Sequence, residues 1–152
     1  MKQQDIFSTK EFKAHVKSDK KIRAKPKKHE ENIQMQLCRY VKMKYPDVIF
    51  ECDLASGTKL TIGQAVKAKA MRSHRGMPDF RIFENSNGFN GLFLELKKDG
   101  TKLFKKNGEF VDEHIREQAD IINRLTKQGY YAFFAIGLNT AISHVETFLL
   151  EK

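Results

Sequence analysis

The chain has 152 residues, 40% of them hydrophobic, which suits one domain with one buried core. No apolar run approaches the roughly 20 residues of a membrane-spanning helix, and the first residues lack the apolar stretch of a signal peptide. The 28 Lys and Arg against 19 Asp and Glu give a formal net charge of +9, so an anionic partner is expected. Cys38 and Cys52 form no CxxC pair and the five histidines are scattered, which argues against a zinc site and favours reduced thiols in a cytoplasm.

Most of the positive charge lies at the start of the chain. Residues 1–28 contain ten Lys or Arg and three Asp or Glu, so they carry +7 of the +9. This segment has too little apolar content to offset its ordering entropy, so we expect a mobile or loosely helical extension ahead of a domain over residues 29–152. Two interpretations stay open: an arm that adds phosphate contacts and salt-sensitive affinity for nucleic acid, or a solubilising tail.

The rest of the chain alternates between helical and extended patterns. The first half predicts a helix from Pro26 to before Pro46, a strand over 47–52, a loop over 54–59 and a helix over 62–72. Two strands over 79–83 and 91–97 then flank an Asn-Gly turn, and a polar loop follows over 98–111. The last elements are a helix capped by Asp112 and ended by Gly129, a strand over 130–136, and a helix capped by Asn139. This order has no internal repeat and predicts a mixed α/β sandwich around one sheet.

The two strands around the Asn-Gly turn place two carboxylates together. If paired residue numbers sum to 174, Asp79 lies opposite Glu95. Alternation then divides the side chains into a core face with Phe80, Ile82, Leu92, Leu94 and Leu96, and a chemical face with Asp79, Arg81, Phe93, Glu95 and Lys97. Opposed carboxylates repel unless a cation lies between them, and Mg²⁺ prefers oxygen ligands. The alternatives are that Asp79 only supports the turn before it and that Glu95 and Lys97 form a solvated face.

Two helices direct polar side chains toward the core. At 100° per residue Glu30 lies in line with the stripe around Leu37, whereas Glu31 falls on the flank. On the later helix Gln118 falls within the apolar stripe, where an amide needs a partner. Glu30 in a solvated first turn and Gln118 bonded to a backbone carbonyl are the ordinary explanations. Together with the D…ExK face, the two helices favour a functional site.

These residues resemble the VRR-NUC family of the PD-(D/E)xK nuclease superfamily, in particular compact standalone phage or bacterial members. The resemblance covers His29 to Leu149 and rests on Glu30 with Gln34 in HEENIQ, RGMPDF at 75–80, LELK at 94–97, Gln118 in EQAD, and Gly129 before a buried strand. The chain departs from the family pattern in its basic extension and at Ser56 in DLASG, where family members often carry asparagine.

The resemblance implies a restriction-endonuclease-like core, in which helices flank a central mixed four-stranded sheet. It assigns divalent-metal binding to Glu30, Asp79 and Glu95, with the backbone carbonyl of Leu96 as a further ligand. Lys97 would position or activate water. Gln118 would support the site. Mg²⁺ is the expected cofactor, with Mn²⁺ able to substitute.

The sequence therefore predicts a cytoplasmic, Mg²⁺-dependent deoxyribonuclease with no membrane partner. The candidate phosphate contacts are Arg75, Arg81, Lys98 and Lys102, each of which has plain solvated charge as its alternative. Some family members resolve branched DNA as homodimers, so a four-way junction substrate and a homodimer are expected by resemblance. Two rival hypotheses stay open: a non-catalytic nucleic-acid-binding module that keeps the fold, and a protein-binding scaffold.

Overall fold

The computed structural model describes residues 33–53 and 60–150. It contains helices α1 (Ile33–Lys44), α2 (Ile62–Met71), α3 (Glu113–Lys127) and α4 (Leu138–Leu149), and strands β1 (Phe50–Cys52), β2 (Phe80–Ile82), β3 (Leu92–Lys97) and β4 (Tyr131–Ile136). This is the predicted order of elements. The predicted extension over 1–28, Glu30, Glu31 and the loop with Ser56 lie outside the described residues. No helix within the described ranges is long and apolar enough to cross a membrane.

One mixed sheet with strand order β1-β2-β3-β4 organises the domain. The first two pairs of strands are antiparallel and the third pair is parallel, which confirms a central mixed four-stranded sheet. Ile82 pairs with Leu92, so the predicted register is correct. The turn at the end of this hairpin places Asn87 and Gly88 at φ values of +50° and +78°, as two-residue turns between antiparallel strands require.

Helices cover both faces of the sheet. On one face, buried apolar side chains of α1 and α4 pack against Phe80, Ile82, Leu92 and Leu94, four of the strand residues predicted for the core. The helix side chains are Leu37, Val41, Ala141, Val145 and Phe148. On the other face, α3 packs Ile115, Ala119 and Ile122 against Phe93, Ala132 and Phe134. The face predicted to be reserved for chemistry is therefore partly a second core. Its polar residues lie where the α3 layer meets the end of β3.

The ends of the helices follow local chemistry with one exception. Asp112 caps α3, because its Oδ1 accepts from the backbone N–H of Ile115 at 2.8 Å, and Gly129 follows α3 at a φ of +85°. The prediction that Asn139 caps the last helix is wrong. Gly137 holds that position, because its N–H donates to the Lys97 carbonyl at 2.8 Å and ties the turn to the sheet.

Helix α2 differs from the other three in its packing. None of its residues is buried, and Ile62 and Val66, which lie on one face, are 87% and 65% exposed. Its start is nevertheless well defined by a capping box between Thr61 and Gln64. The helix therefore owes its form to local hydrogen bonds and leaves an apolar face open.

Candidate active site

Asp79 and Glu95 lie side by side at one end of the β2–β3 hairpin. Asp79 immediately precedes β2, and Glu95 is one residue beyond Leu94, the last residue of β3 that pairs with β2. The register that pairs Phe80 with Leu94 therefore continues to an Asp79–Glu95 opposition, as predicted. Both residues are buried, at 8% and 3% exposure. The structure thus buries two carboxylates next to each other.

Asp79 also completes the hydrogen bonding of β3. Because β2 begins at Phe80, the backbone of β3 beyond Leu94 has no strand beside it on that side. The Oδ2 atom of Asp79 fills this place by accepting from the Leu96 N–H at 3.1 Å. In a strand the N–H and C=O of one residue point to the same side, so the Leu96 carbonyl is directed toward the same end of the hairpin as Asp79. This bond was not predicted from the sequence.

The surroundings of Glu95 disfavour its charged form. Burial first, and the neighbouring charge of Asp79 second, raise the pKa of Glu95 to about 8, against a partial opposite effect from Lys97. Its Oε1 accepts from Gln118 Nε2 at 2.5 Å and from Lys97 Nζ at 3.0 Å. Its Oε2 is buried and has no hydrogen-bond partner among the described residues. At neutral pH the metal-free carboxyl therefore keeps its proton, and Oε2 is the atom at which a bound cation would replace that proton.

The side chains of Lys97, Gln118 and Glu95 are all hydrogen-bonded to one another. Besides its contact with Glu95, Lys97 Nζ donates to Gln118 Oε1 at 2.8 Å, and its side chain is only 16% exposed. Gln118 therefore uses its amide in both senses, as donor to the carboxylate and as acceptor from the ammonium. This geometry excludes a solvated face for Glu95 and Lys97. The amide predicted to need a partner on the apolar stripe of α3 has two.

Gly76 allows the segment before β2 to approach α3. Its φ is +78°, and a Cβ added there would lie 3.1 Å from the backbone N and 3.2 Å from the Cα of Gln118. A side chain at this position would therefore both strain the backbone and press on the turn of α3 that carries Gln118. From the sequence, this glycine was noted only as part of RGMPDF and was given no role of its own. The signal that was available is the glycine three residues before Asp79.

The donor set suits a hard cation. The described ranges contain no group of three or more His, Cys, Asp or Glu side chains placed to hold a metal ion, and the third predicted carboxylate, Glu30, lies outside them. Mg²⁺ is nevertheless often bound through one or two carboxylates together with water and substrate phosphate oxygens. Asp79, Glu95 and the Leu96 carbonyl offer such oxygens, and the partnerless Oε2 of Glu95 is the atom that a cation would satisfy. These residues fit Mg²⁺ or Mn²⁺ better than zinc.

The four candidate phosphate contacts lie at different places around the site. Arg81 follows Asp79 by two residues on the same face of β2 and bonds Glu51 at 3.0 Å. Arg75 is largely exposed in the segment before β2, and Lys98 and Lys102 are exposed after β3. None of the four therefore belongs to the buried cluster of Asp79, Glu95, Lys97 and Gln118.

Comparison with known proteins supports the fold. No protein-family model matches the sequence, and no curated protein matches it. A solved structure named "VRR_NUC domain protein" is similar to this chain, with a TM-score of 0.53 and 21% sequence identity over 80% of this chain and 92% of that one. The α/β fold is therefore shared with that protein, in agreement with the mixed sheet and flanking helices.

Proposed function

We propose that this protein is a metal-dependent endonuclease that hydrolyses DNA phosphodiester bonds. The observation that carries the proposal is the buried Asp79–Glu95 pair, in which Glu95 Oε2 has no hydrogen-bond partner among the described residues. Asp79, Glu95 and the carbonyl of Leu96 would hold Mg²⁺ or Mn²⁺, with Glu30 as a further predicted ligand. The fold shared with a VRR_NUC domain protein supports a nuclease-type domain.

Each side chain of the proposed site would have its own role in hydrolysis. A divalent ion bound there would lower the pKa of a water molecule and offset the charge that develops on the scissile phosphate. Lys97 is an ammonium with three donors, and two of them are directed to Glu95 and Gln118 within the described part of the chain. The third donor would hold the attacking water or a phosphate oxygen. Gln118 would keep Lys97 and Glu95 in this arrangement by bonding both.

DNA is the proposed substrate and a homodimer the proposed assembly. A net charge of +9 favours a polyanion, and paired cuts across a branched junction would need two copies of the site related by a two-fold axis. The exposed apolar face of α2, with Ile62 and Val66, supports this proposal because a second copy would remove it from water. Val66→Glu would then lower the mass measured by light scattering from dimer to monomer, whereas the exposed Lys67→Glu would not.

The decisive experiment is a cleavage assay with purified protein, Mg²⁺ or Mn²⁺, and matched linear, flap and four-way DNA. Metal-dependent cleavage that is lost in Asp79→Asn and Lys97→Ala supports the enzyme. Equal slow cleavage by the wild type and both variants identifies a contaminant and leaves the binding module. Glu30→Ala should impair cleavage far more than Glu31→Ala, since the predicted helix phase directs only Glu30 toward the core.

A further inference from the structure

A cleft lies on the β1 side of the sheet and includes residues of β1 and β2. Its volume is about 590 Å³ and it is lined by Glu51, Cys52, Asp53, Met71, Arg72, Ser73, Met77 and Arg81. The cleft is joined to the proposed active site by backbone, because the N–H of Asp53 donates to the carbonyl of Asp79 at 2.7 Å. The cleft and the Asp79 end of the hairpin are therefore neighbours in the sheet.

Two arginines line this cleft, each beside a carboxylate. Arg72 Nη2 lies 2.8 Å from Asp53 Oδ2, and Arg81 Nη1 lies 3.0 Å from Glu51 Oε2. Each pair includes one side chain that is about half exposed, and such pairs contribute little to stability. Both guanidinium groups can therefore exchange a carboxylate for a phosphate, which they also bind through paired N–H donors.

The spacing along β2 relates the cleft to the carboxylates. Asp79 and Arg81 are two residues apart and lie on one face of the sheet, about 6.6 Å from each other along the strand. Met71 and Met77 add apolar, adaptable surface to the same cleft. Cationic groups next to apolar side chains match a nucleotide, which offers a phosphate together with the flat face of a base.

We infer that this cleft binds the nucleotide adjacent to the scissile phosphate, with Arg72 and Arg81 on its phosphate and the two methionines against its base or sugar. The inference rests on the proposed function, since it assigns the neighbouring subsite of that same reaction. It adds Arg72 to the DNA-binding residues. Asp53 and Glu51 would then compete with the DNA phosphate for Arg72 and Arg81.

Replacing the arginine of each pair should change KM in the opposite direction from replacing its carboxylate partner. Arg72→Gln and Arg81→Gln should each raise KM roughly tenfold, because each loses a hydrogen bond to a charged group. Asp53→Asn and Glu51→Gln should lower KM roughly threefold, because they free the arginines. Arg116→Gln is the control: Arg116 pairs with Glu113 in a similar way outside the cleft, and its loss should leave KM unchanged. Arginine and acid variants that shift KM in the same direction would show that the pairs are only structural and overturn the inference.

A neutral linkage in the DNA identifies the phosphate itself. A methylphosphonate placed at each linkage of a short DNA in turn should raise the dissociation constant of the wild type at one linkage next to the cleavage site. At that linkage it should add nothing in the double variant Arg72→Gln/Arg81→Gln, which lacks both phosphate contacts. Affinities measured in EDTA by fluorescence anisotropy make this readout independent of catalysis. A wild type that binds in this pattern but never cuts DNA refutes the proposed function and leaves an anion subsite, whereas equal effects of the neutral linkage in both proteins refute the cleft.

Discussion

Replacing Glu95 by glutamine is expected to stabilise the metal-free protein at neutral pH. The carboxyl has a pKa of about 8 in the folded protein against an ordinary value of 4.5. At pH 7 the unfolded chain therefore releases a proton that the folded chain keeps, and each unit between the two pKa values contributes about 1.4 kcal/mol in favour of unfolding. Over the 2.5 units from pH 4.5 to pH 7 this amounts to about 3.5 kcal/mol, a penalty that the neutral amide avoids.

The sign of this effect gives its pH dependence. Because the folded pKa of Glu95 is raised, the wild type is relieved of the penalty below pH 4.5 and loses stability as the pH rises toward 8. The advantage of Glu95→Gln should therefore be near zero at pH 4 and largest at pH 8 and above. Glutamine keeps an oxygen that can accept from Lys97 and Gln118, so the packing of the cluster is retained.

Urea unfolding in EDTA at pH 4.5, 6, 7 and 8 measures this difference. Glu109→Gln is the matched control, because Glu109 is exposed and its replacement should change the free energy of unfolding by no more than about 0.5 kcal/mol at any pH. Mg²⁺ should raise the unfolding midpoint of the wild type but not of Glu95→Gln. A glutamine variant that is less stable than the wild type at pH 8 would refute the argument, since the carboxylate would then be a net structural contributor.

Three further outcomes follow from the same geometry. Asp79→Asn should abolish cleavage and leave the stability of the metal-free protein unchanged or higher. Asp79→Ala should lower the free energy of unfolding by about 1 to 3 kcal/mol relative to Asp79→Asn, because the Leu96 N–H then lacks its acceptor. Chemical denaturation of both variants measures the difference. Gly76→Ala should lower single-turnover cleavage roughly tenfold or more, because the added Cβ would press on the backbone of Gln118. Gly108→Ala, with a similar φ of +90° but open space around it, should retain the rate, and equal losses in both variants would mean that the approach to α3 does not matter. Deleting residues 1–28, which carry +7, should weaken DNA binding and flatten its dependence on salt, and an unchanged salt titration would show that they are only a tail.

Sequence alone determined those features that depend on neighbours along the chain. The Asn87-Gly88 turn allows positive φ at both positions and so sets the register of the hairpin, which brings Asp79 opposite Glu95. The helical period placed Gln118 on the buried stripe of α3, and Asp112 marked where that helix begins. Each of these follows from backbone geometry over a few residues.

Tertiary structure decided the features that depend on where elements end and what packs against them. The bond from Leu96 to Asp79 exists because β2 is too short to pair with that part of β3. Gly76 is required only because α3 lies beside it. Helix α4 begins after Gly137 and not at Asn139, because the Gly137 N–H is hydrogen-bonded to the Lys97 carbonyl. These contacts join residues that are far apart in sequence, and no local period or capping preference encodes them. The same is true of the pKa of Glu95, because burial and the proximity of Asp79 are properties of the packed sheet.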